Sequence, residues 1–192
     1  GDGTGNAQSA LDTTAAGDLW NNGFTHGAAV DYVGMGGSDA ANNKSINYTL
    51  PTIMDDLSVA VSYSGQTTAV NSTSAFGVTY TGVEGLSVSY GVGEAGSTVA
   101  NTAADVTSMS ASYAIGSFTA AVSNTENDRG STGIDEEMSS FKLSYTVTDD
   151  LSVSYGEETH ETSAQTVDEE FDAISVSYTT GGMTITAAQY NA

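Results

Sequence analysis

The sequence predicts an all-β fold: a transmembrane, antiparallel, up-and-down β-barrel. Three observations predict it. Phrases of alternating apolar and small polar residues recur along most of the chain, which is the two-residue period of a half-buried strand. Short turns alternate with long polar connectors between those phrases. One face of each phrase is apolar and the other is small, hydroxylated and almost uncharged. Such a polar face suits a wet interior better than a surface facing bulk water.

The repeats justify the strands in order. Leu57-Ser58-Val59 opens a phrase that returns at Leu86 and Leu151, with weaker copies at Phe118 and Met183. These starts lie 29, 32, 33 and 32 residues apart. A second unit, large-small-large and ending in Tyr, falls between them at Phe76–Tyr80, Met109–Tyr113, Phe141–Tyr145 and Ile174–Tyr178. Strands running toward the short turns are expected at 45–50, 75–82, 106–114, 139–147 and 171–180. Returning strands are expected at 57–64, 86–93, 117–124, 151–159 and 183–190. The connectors 83–85, 115–116, 148–150 and 181–182 are short, whereas 65–74, 94–105, 125–138 and 160–170 are long. This alternation makes consecutive hairpins with every long loop at one end. Ten strands in an open meander would leave two bare edges, so closure into a barrel is favoured.

Tyrosine separates a membrane barrel from a soluble sandwich. Tyr48, Tyr80, Tyr113, Tyr145 and Tyr178 stand just before the short turns, and Tyr63, Tyr90 and Tyr155 stand toward the long loops. All share the apolar parity, so two aromatic girdles should flank an apolar band about 25 Å tall. The apolar stretch of a returning strand is too short for that band at about 3.3 Å per residue. The strands are therefore expected to run on through Gly91-Val92 and Gly156-Glu157.

Composition removes other classes. With Asp+Glu 24 and Lys+Arg 3, the formal charge is −21. Three cations cannot neutralise a nucleic-acid backbone, so no nucleic-acid partner is expected. Cys is 0, which excludes disulfide scaffolds and Cys-ligated zinc. Disorder is disfavoured by Tyr 10 and abundant Val and Thr. Residues 1–44 are rich in Gly, Asn, Asp and Ala, without sustained alternation, but Trp20, Phe24, Tyr32 and Met35 give them something to pack. They read as one long packed loop, and 45–192 as the strand meander. A first residue other than Met and a last strand that stops abruptly give the expectation of an incomplete chain.

Catalytic and metal motifs are weak. Gly91-Val92-Gly93-Glu94-Ala95-Gly96 matches G-x-G-x-x-G, but a polar loop follows where a dinucleotide site needs a helix. His26 and His160 are expected in loops and have no metal spacing. No G-x-S-x-G elbow occurs, and no enzyme is expected. Acids gather at Asp135-Glu136-Glu137, Glu157-Glu158 with Glu161, and Asp168-Glu169-Glu170, in or beside the long loops. They read first as a solvated surface. As oxygen clusters they would also suit Ca2+ or Mg2+, bridging loops or lipopolysaccharide. No other cofactor is implied.

The repeated Asp/Gly-Leu-Ser-Val phrases, Asn47-Tyr48-Thr49-Leu50-Pro51 and Phe76-Gly77-Val78-Thr79-Tyr80 resemble a Gram-negative outer-membrane general porin of the alphaproteobacterial type. The likeness covers roughly 43–192. It implies a trimeric barrel of 16 strands, about ten of them here, with residues 1–44 as the constriction loop folded into the lumen and the chain ending at the penultimate strand. It further implies passive diffusion of ions and small hydrophilic solutes through a water-filled channel in the outer membrane. The acids of that loop, Asp2, Asp12, Asp18, Asp31 and Asp39, precede its first cation, Lys44. Asp12, Asp18, Asp31 and Asp39 are the expected constriction residues, and they favour cations. Lys142 has lumen parity and is the expected mid-wall charge. No terminal aromatic and no Pro-Glu-Phe constriction motif occur. Two other readings stay open: an acidic extracellular adhesin or surface-layer domain, and a smaller complete barrel plugged by 1–44.

Overall fold

The computed structural model describes residues 15–16, 45–51, 54–65, 72–95, 104–129 and 134–192. Ten strands follow one another: β1 (Ser45–Thr49), β2 (Leu57–Ser64), β3 (Thr73–Tyr80), β4 (Leu86–Ala95), β5 (Ala104–Ile115), β6 (Phe118–Asp128), β7 (Glu136–Thr148), β8 (Leu151–Thr162), β9 (Glu169–Thr180) and β10 (Met183–Asn191). Each pairs antiparallel with its sequence neighbours, in the order β1 to β10. The predicted up-and-down meander is therefore present. Among the described residues no ladder joins β10 to β1, so the sheet is open.

Glycine makes the tight turns. Ile115 pairs with Phe118 and Thr180 with Met183, leaving two-residue loops. Gly116 has φ 57°, and Gly181 and Gly182 have φ 55° and 81°. Hairpin turns that match the strand twist need this left-handed backbone. Gly85, with φ 77°, is more constrained. Its carbonyl accepts the Ala114 N–H at 2.8 Å, and an added Cβ would run into the Ala114 carbonyl oxygen. Around Gly116 the same Cβ would meet nothing within 4 Å. Gly116→Ala should cost only the conformational term, about 1–2 kcal/mol. Gly85→Ala should cost clearly more, in paired urea titrations of the two variants.

At the loop end the strands outrun the expectation. β6 extends to Asp128, β7 begins at Glu136, β8 reaches Thr162 and β9 begins at Glu169. Glu136, Glu137, Glu157, Glu158, Glu161, Glu169 and Glu170 thus lie in strands, and of the three acidic groups only Asp135 and Asp168 remain in connectors. His160, expected in a loop, lies in β8 and is 2% exposed. Charge lowers strand propensity in a sequence reading. The ladder bonds are backbone bonds, however, and continue whatever the side chains are.

Burial is inverted relative to a soluble protein. On the hydroxylated face Ser108, Ser123 and Thr125 are 0%, 8% and 3% exposed. On the apolar face Met109, Val122, Leu143 and Ile174 are 51%, 54%, 48% and 57% exposed. A continuous apolar face of this size would aggregate in water and is stable against lipid tails. The soluble adhesin reading requires the reverse arrangement.

The eight tyrosines expected in girdles share the outer parity, and all of them but Tyr155 are among the exposed side chains. The apolar stretch is short: Phe141–Val147 on β7, Leu151–Tyr155 on β8 and Ile174–Tyr178 on β9. Along the strands these run about 13–20 Å. The strands do continue past Gly156, but the expected extension of the apolar band does not follow. Register places Glu157 opposite Phe141 and Asp172, on the outer face. Tyr155 stands opposite Leu143, only two residues from the level of Tyr145. The two sets of tyrosines therefore approach each other more closely than girdles 25 Å apart would.

Candidate pore wall

The inner face is built from the alternate positions of each strand. Toward the short turns it is almost wholly Ser and Thr, and these hydroxyls pair across strands. Thr79 and Ser89 are 3.0 Å apart, Ser108 and Thr125 2.9 Å, Ser154 and Ser175 2.7 Å, and Thr179 and Thr184 2.9 Å. Such pairs satisfy each other laterally and leave further lone pairs toward the lumen. Toward the short turns the wall is polar without being charged, a surface that water wets, whereas the Ser108–Thr125 pair nearer the loop end is buried.

Few charges stand on it. Lys142 takes an inner position between Ala121 and Gly156. Glu136, Glu158, His160 and Glu169 occupy inner positions nearer the loop end, with Glu158 0% and Glu136 7% exposed. Arg129 forms an ion pair with Glu136 at 3.5 Å, and Asn127 donates to the same oxygen at 3.3 Å. His160 meets the Phe171 ring edge-on at 6.3 Å. The buried Glu158 and His160 had no signal beyond parity, which becomes readable only once β8 is known to run to Thr162.

The six residues considered for a divalent cation do not converge. Glu136 and Glu169 face inward, whereas Glu137 and Glu170 have outer parity. The Asp135 carboxylate accepts the Arg129 backbone N–H at 2.9 Å. Among the described residues no three His, Asp or Glu side chains gather closely enough to hold a metal ion. An open cleft at the loop end is nonetheless acidic, lined in part by Glu126, Asp128, Asp135, Glu161 and Asp168. The constriction residues Asp12, Asp18, Asp31 and Asp39 lie outside the described residues.

Ala15 and Ala16 do lie within them, and they sit on the inner face. The Ala15 N–H donates to Ser123 Oγ and Ser140 Oγ, each at 2.9 Å. Ala16 packs with Phe171 and Ala173, with Tyr190 beside them. Nothing in the sequence marked this contact, because it joins backbone to serine across 108 and 125 residues.

The comparisons agree with this architecture. Residues 4–192 match the family described as Gram-negative porin. No curated protein sequence matches the chain. Among solved structures, an anion-selective porin from Comamonas acidovorans is similar at 18% identity and TM-score 0.65, over 76% of this chain and 47% of that one. A porin refined at 1.8 Å is similar at 14% identity and TM-score 0.65, over 100% of this chain and 71% of that one. The in-vitro folded OmpT of Vibrio cholerae in its trimer form is similar at 18% identity and TM-score 0.54, over 80% of this chain and 56% of that one. The chain thus spans about half the length of the Comamonas and Vibrio proteins. Among the described residues no helix is long and apolar enough to cross a membrane. The strands, apolar outside and hydroxylated inside, have the faces that crossing requires. With its strand order, its inverted burial and its match over 4–192, the chain belongs to the Gram-negative porin family of the bacterial outer membrane.

Proposed function

We propose that the complete protein is a water-filled channel for passive diffusion of ions and small hydrophilic solutes, with no catalytic step. The observation that carries this reading is the inner wall of paired hydroxyls behind an apolar outer face. A wall of that kind lets hydrated solutes pass without binding them tightly.

We further propose that the channel prefers cations. The acids Asp12, Asp18, Asp31 and Asp39 precede every Lys and Arg of the chain, the first of which is Lys44. The inner carboxylates Glu136, Glu158 and Glu169 are opposed by Lys142 and by Arg129, itself paired to Glu136. A carboxylate-lined pore raises the local cation concentration. The Comamonas neighbour is an anion-selective porin, but at 18% identity the likeness extends to fold only. Reversal potentials of the reconstituted full-length protein in a KCl gradient should carry the sign of cation preference. Replacing Asp12, Asp18, Asp31 and Asp39 together by Asn should move them toward anions. Anion preference in the unmodified protein would overturn the selectivity, and absence of conductance would overturn the channel.

The partners are proposed to be two more copies of the chain and the surrounding lipid and lipopolysaccharide. A trimer form of the similar Vibrio OmpT supports the oligomer. Unboiled samples in detergent gels should migrate as a trimer and collapse to monomer on heating.

A further inference from the structure

The outer wall becomes polar within a short distance of the tight turns. On β8 the turn ends at Asp150 and the next outward carboxylate is Glu157, with only Leu151 to Gly156 between them. On β9 the outer polar positions Asp172 and Thr180 enclose Ala173 to Thr179. On β10 the turn residue Gly182 and the outward Gln189 enclose Met183 to Ala188. On β6, Ser117 and the outward Asn124 enclose Phe118 to Ser123. β7 runs longer, from Ser139 to its turn, and carries a register shift between Thr146 and Thr148. A strand that spans a bilayer needs about 9–11 residues. Six or seven fall short of that.

The polar limit is fixed by groups that hydrocarbon cannot take. Glu157 stands directly opposite Asp172 on the outer face. The Tyr155 hydroxyl donates to Glu157 at 3.0 Å, and the Asn191 amide donates to Asp172 at 2.9 Å. These bonds tie both carboxylates to the wall at their own level. The described cations serve the other face: Lys142 lies between Ala121 and Gly156, and Arg129 pairs with Glu136. Two opposed carboxylates without a cation need water or headgroups around them. The limit is also level with a membrane. Val122 and Phe141 share a cross-strand row with Glu157, Asp172 and Asn191. Tilted strands lift one end of such a row above the other, so its apolar end and its polar end meet a flat boundary at different heights.

We propose that the outer wall from β6 to β10 fits a hydrocarbon layer about 17–22 Å thick, thinner than the roughly 25 Å band of outer-membrane barrels. The figure follows from about 3.4 Å per residue and a tilt of about 35–45° over the interval between the flanking polar positions. A bilayer of short acyl chains covers this wall without strain, and a bilayer of longer chains must thin against it.

Equilibrium urea unfolding of full-length protein tests this in phosphatidylcholine vesicles of ten-, twelve-, fourteen- and sixteen-carbon chains. The urea midpoint should be highest in the ten- or twelve-carbon lipid and fall with each longer chain. Glu157→Leu with Asp172→Leu lengthens the band by one outer position on β8 and β9, and should move the best chain length upward by about two carbons. Glu157→Gln with Asp172→Asn removes the same charges but keeps the positions polar. It should raise the midpoint in every lipid and leave the best chain length where it was. A midpoint highest in the sixteen-carbon lipid for the unmodified protein would overturn the proposal. So would a leucine variant whose optimum does not move, or an amide variant whose optimum moves as far as the leucine one. If the leucine variant does not fold, Asn124→Leu with Ser139→Leu lengthens the band on β6 and β7 and carries the same expectation. Conductance enters none of these measurements, so failure of the channel reading would leave their outcome intact.

Discussion

Replacing Leu143 with arginine is expected to cost the folded barrel about 2–4 kcal/mol, the depth-dependent cost of a cation on the lipid face near the midplane. Leu143 stands on the outer face between Ala120 and Tyr155 and is 48% exposed. Its neighbours along that face are Phe141 and Tyr145; the nearest carboxylate by register, Glu157, lies diagonally across on β8, so the measurement is made in a Glu157→Gln background that removes it as a partner. Ser144→Arg is the matched control. Ser144 lies on the inner face between Thr119 and Ser154, where water can solvate the new charge, and should change stability by less than about 1 kcal/mol. Urea dependence of the folded fraction of full-length protein in short-chain phosphatidylcholine vesicles measures both. Equal losses would mean that the two faces are assigned wrongly.

The two faces were legible because period 2 is imposed by the backbone and each face has one solvent. Leu151, Val153 and Tyr155 could take only the apolar side once Ser152 and Ser154 took the other. Turn positions followed from glycine, since Gly116, Gly181 and Gly182 are needed at positive φ. Strand ends at the loop side were misjudged for one physical cause. Beyond Tyr155 both faces become polar, with Glu157 outside and Glu158 inside, so alternation loses contrast while the hydrogen-bond ladder goes on to Thr162. His160 was placed in a loop by the same error. The seat of Ala15–Ala16 was not legible at all. It consists of two backbone N–H groups, two serines and one glycine, none of which stands out in a chain with this much serine and glycine.

Above the apolar band the outer wall carries like charges directly opposite one another, and this predicts a strong dependence on salt. Glu94 faces Asp105 across β4 and β5, and Asp105 faces Asp128 across β5 and β6. Glu126 faces Glu137, and Glu137 faces Glu161. Opposed residues in an antiparallel ladder are about 5 Å apart at Cα, and opposed like charges weaken it by about 0.2–1 kcal/mol per pair. Two local contacts temper this: Asn124 donates to Glu137 at 2.6 Å, and the Ser74 hydroxyl donates to Glu94 at 3.2 Å. Neither is a cation, and the chain has only 3 Lys+Arg. Asp105→Asn with Glu137→Gln relieves all four oppositions while keeping a carbonyl acceptor at each site. The double variant should gain about 1–4 kcal/mol at low ionic strength. The gain should shrink toward zero in 1 M NaCl, where the Debye length of about 3 Å is shorter than the ladder spacing. The unmodified protein should gain stability over the same range of salt. A variant no more stable than the parent at low salt would mean that these carboxylates are already neutralised, and NaCl against equimolar-charge MgCl2 would then show whether a divalent ion does it. Six of the 24 Asp and Glu residues, Glu94, Asp105, Glu126, Asp128, Glu137 and Glu161, thus stand in opposed rows on β4 to β8, where their repulsion acts on the ladder itself.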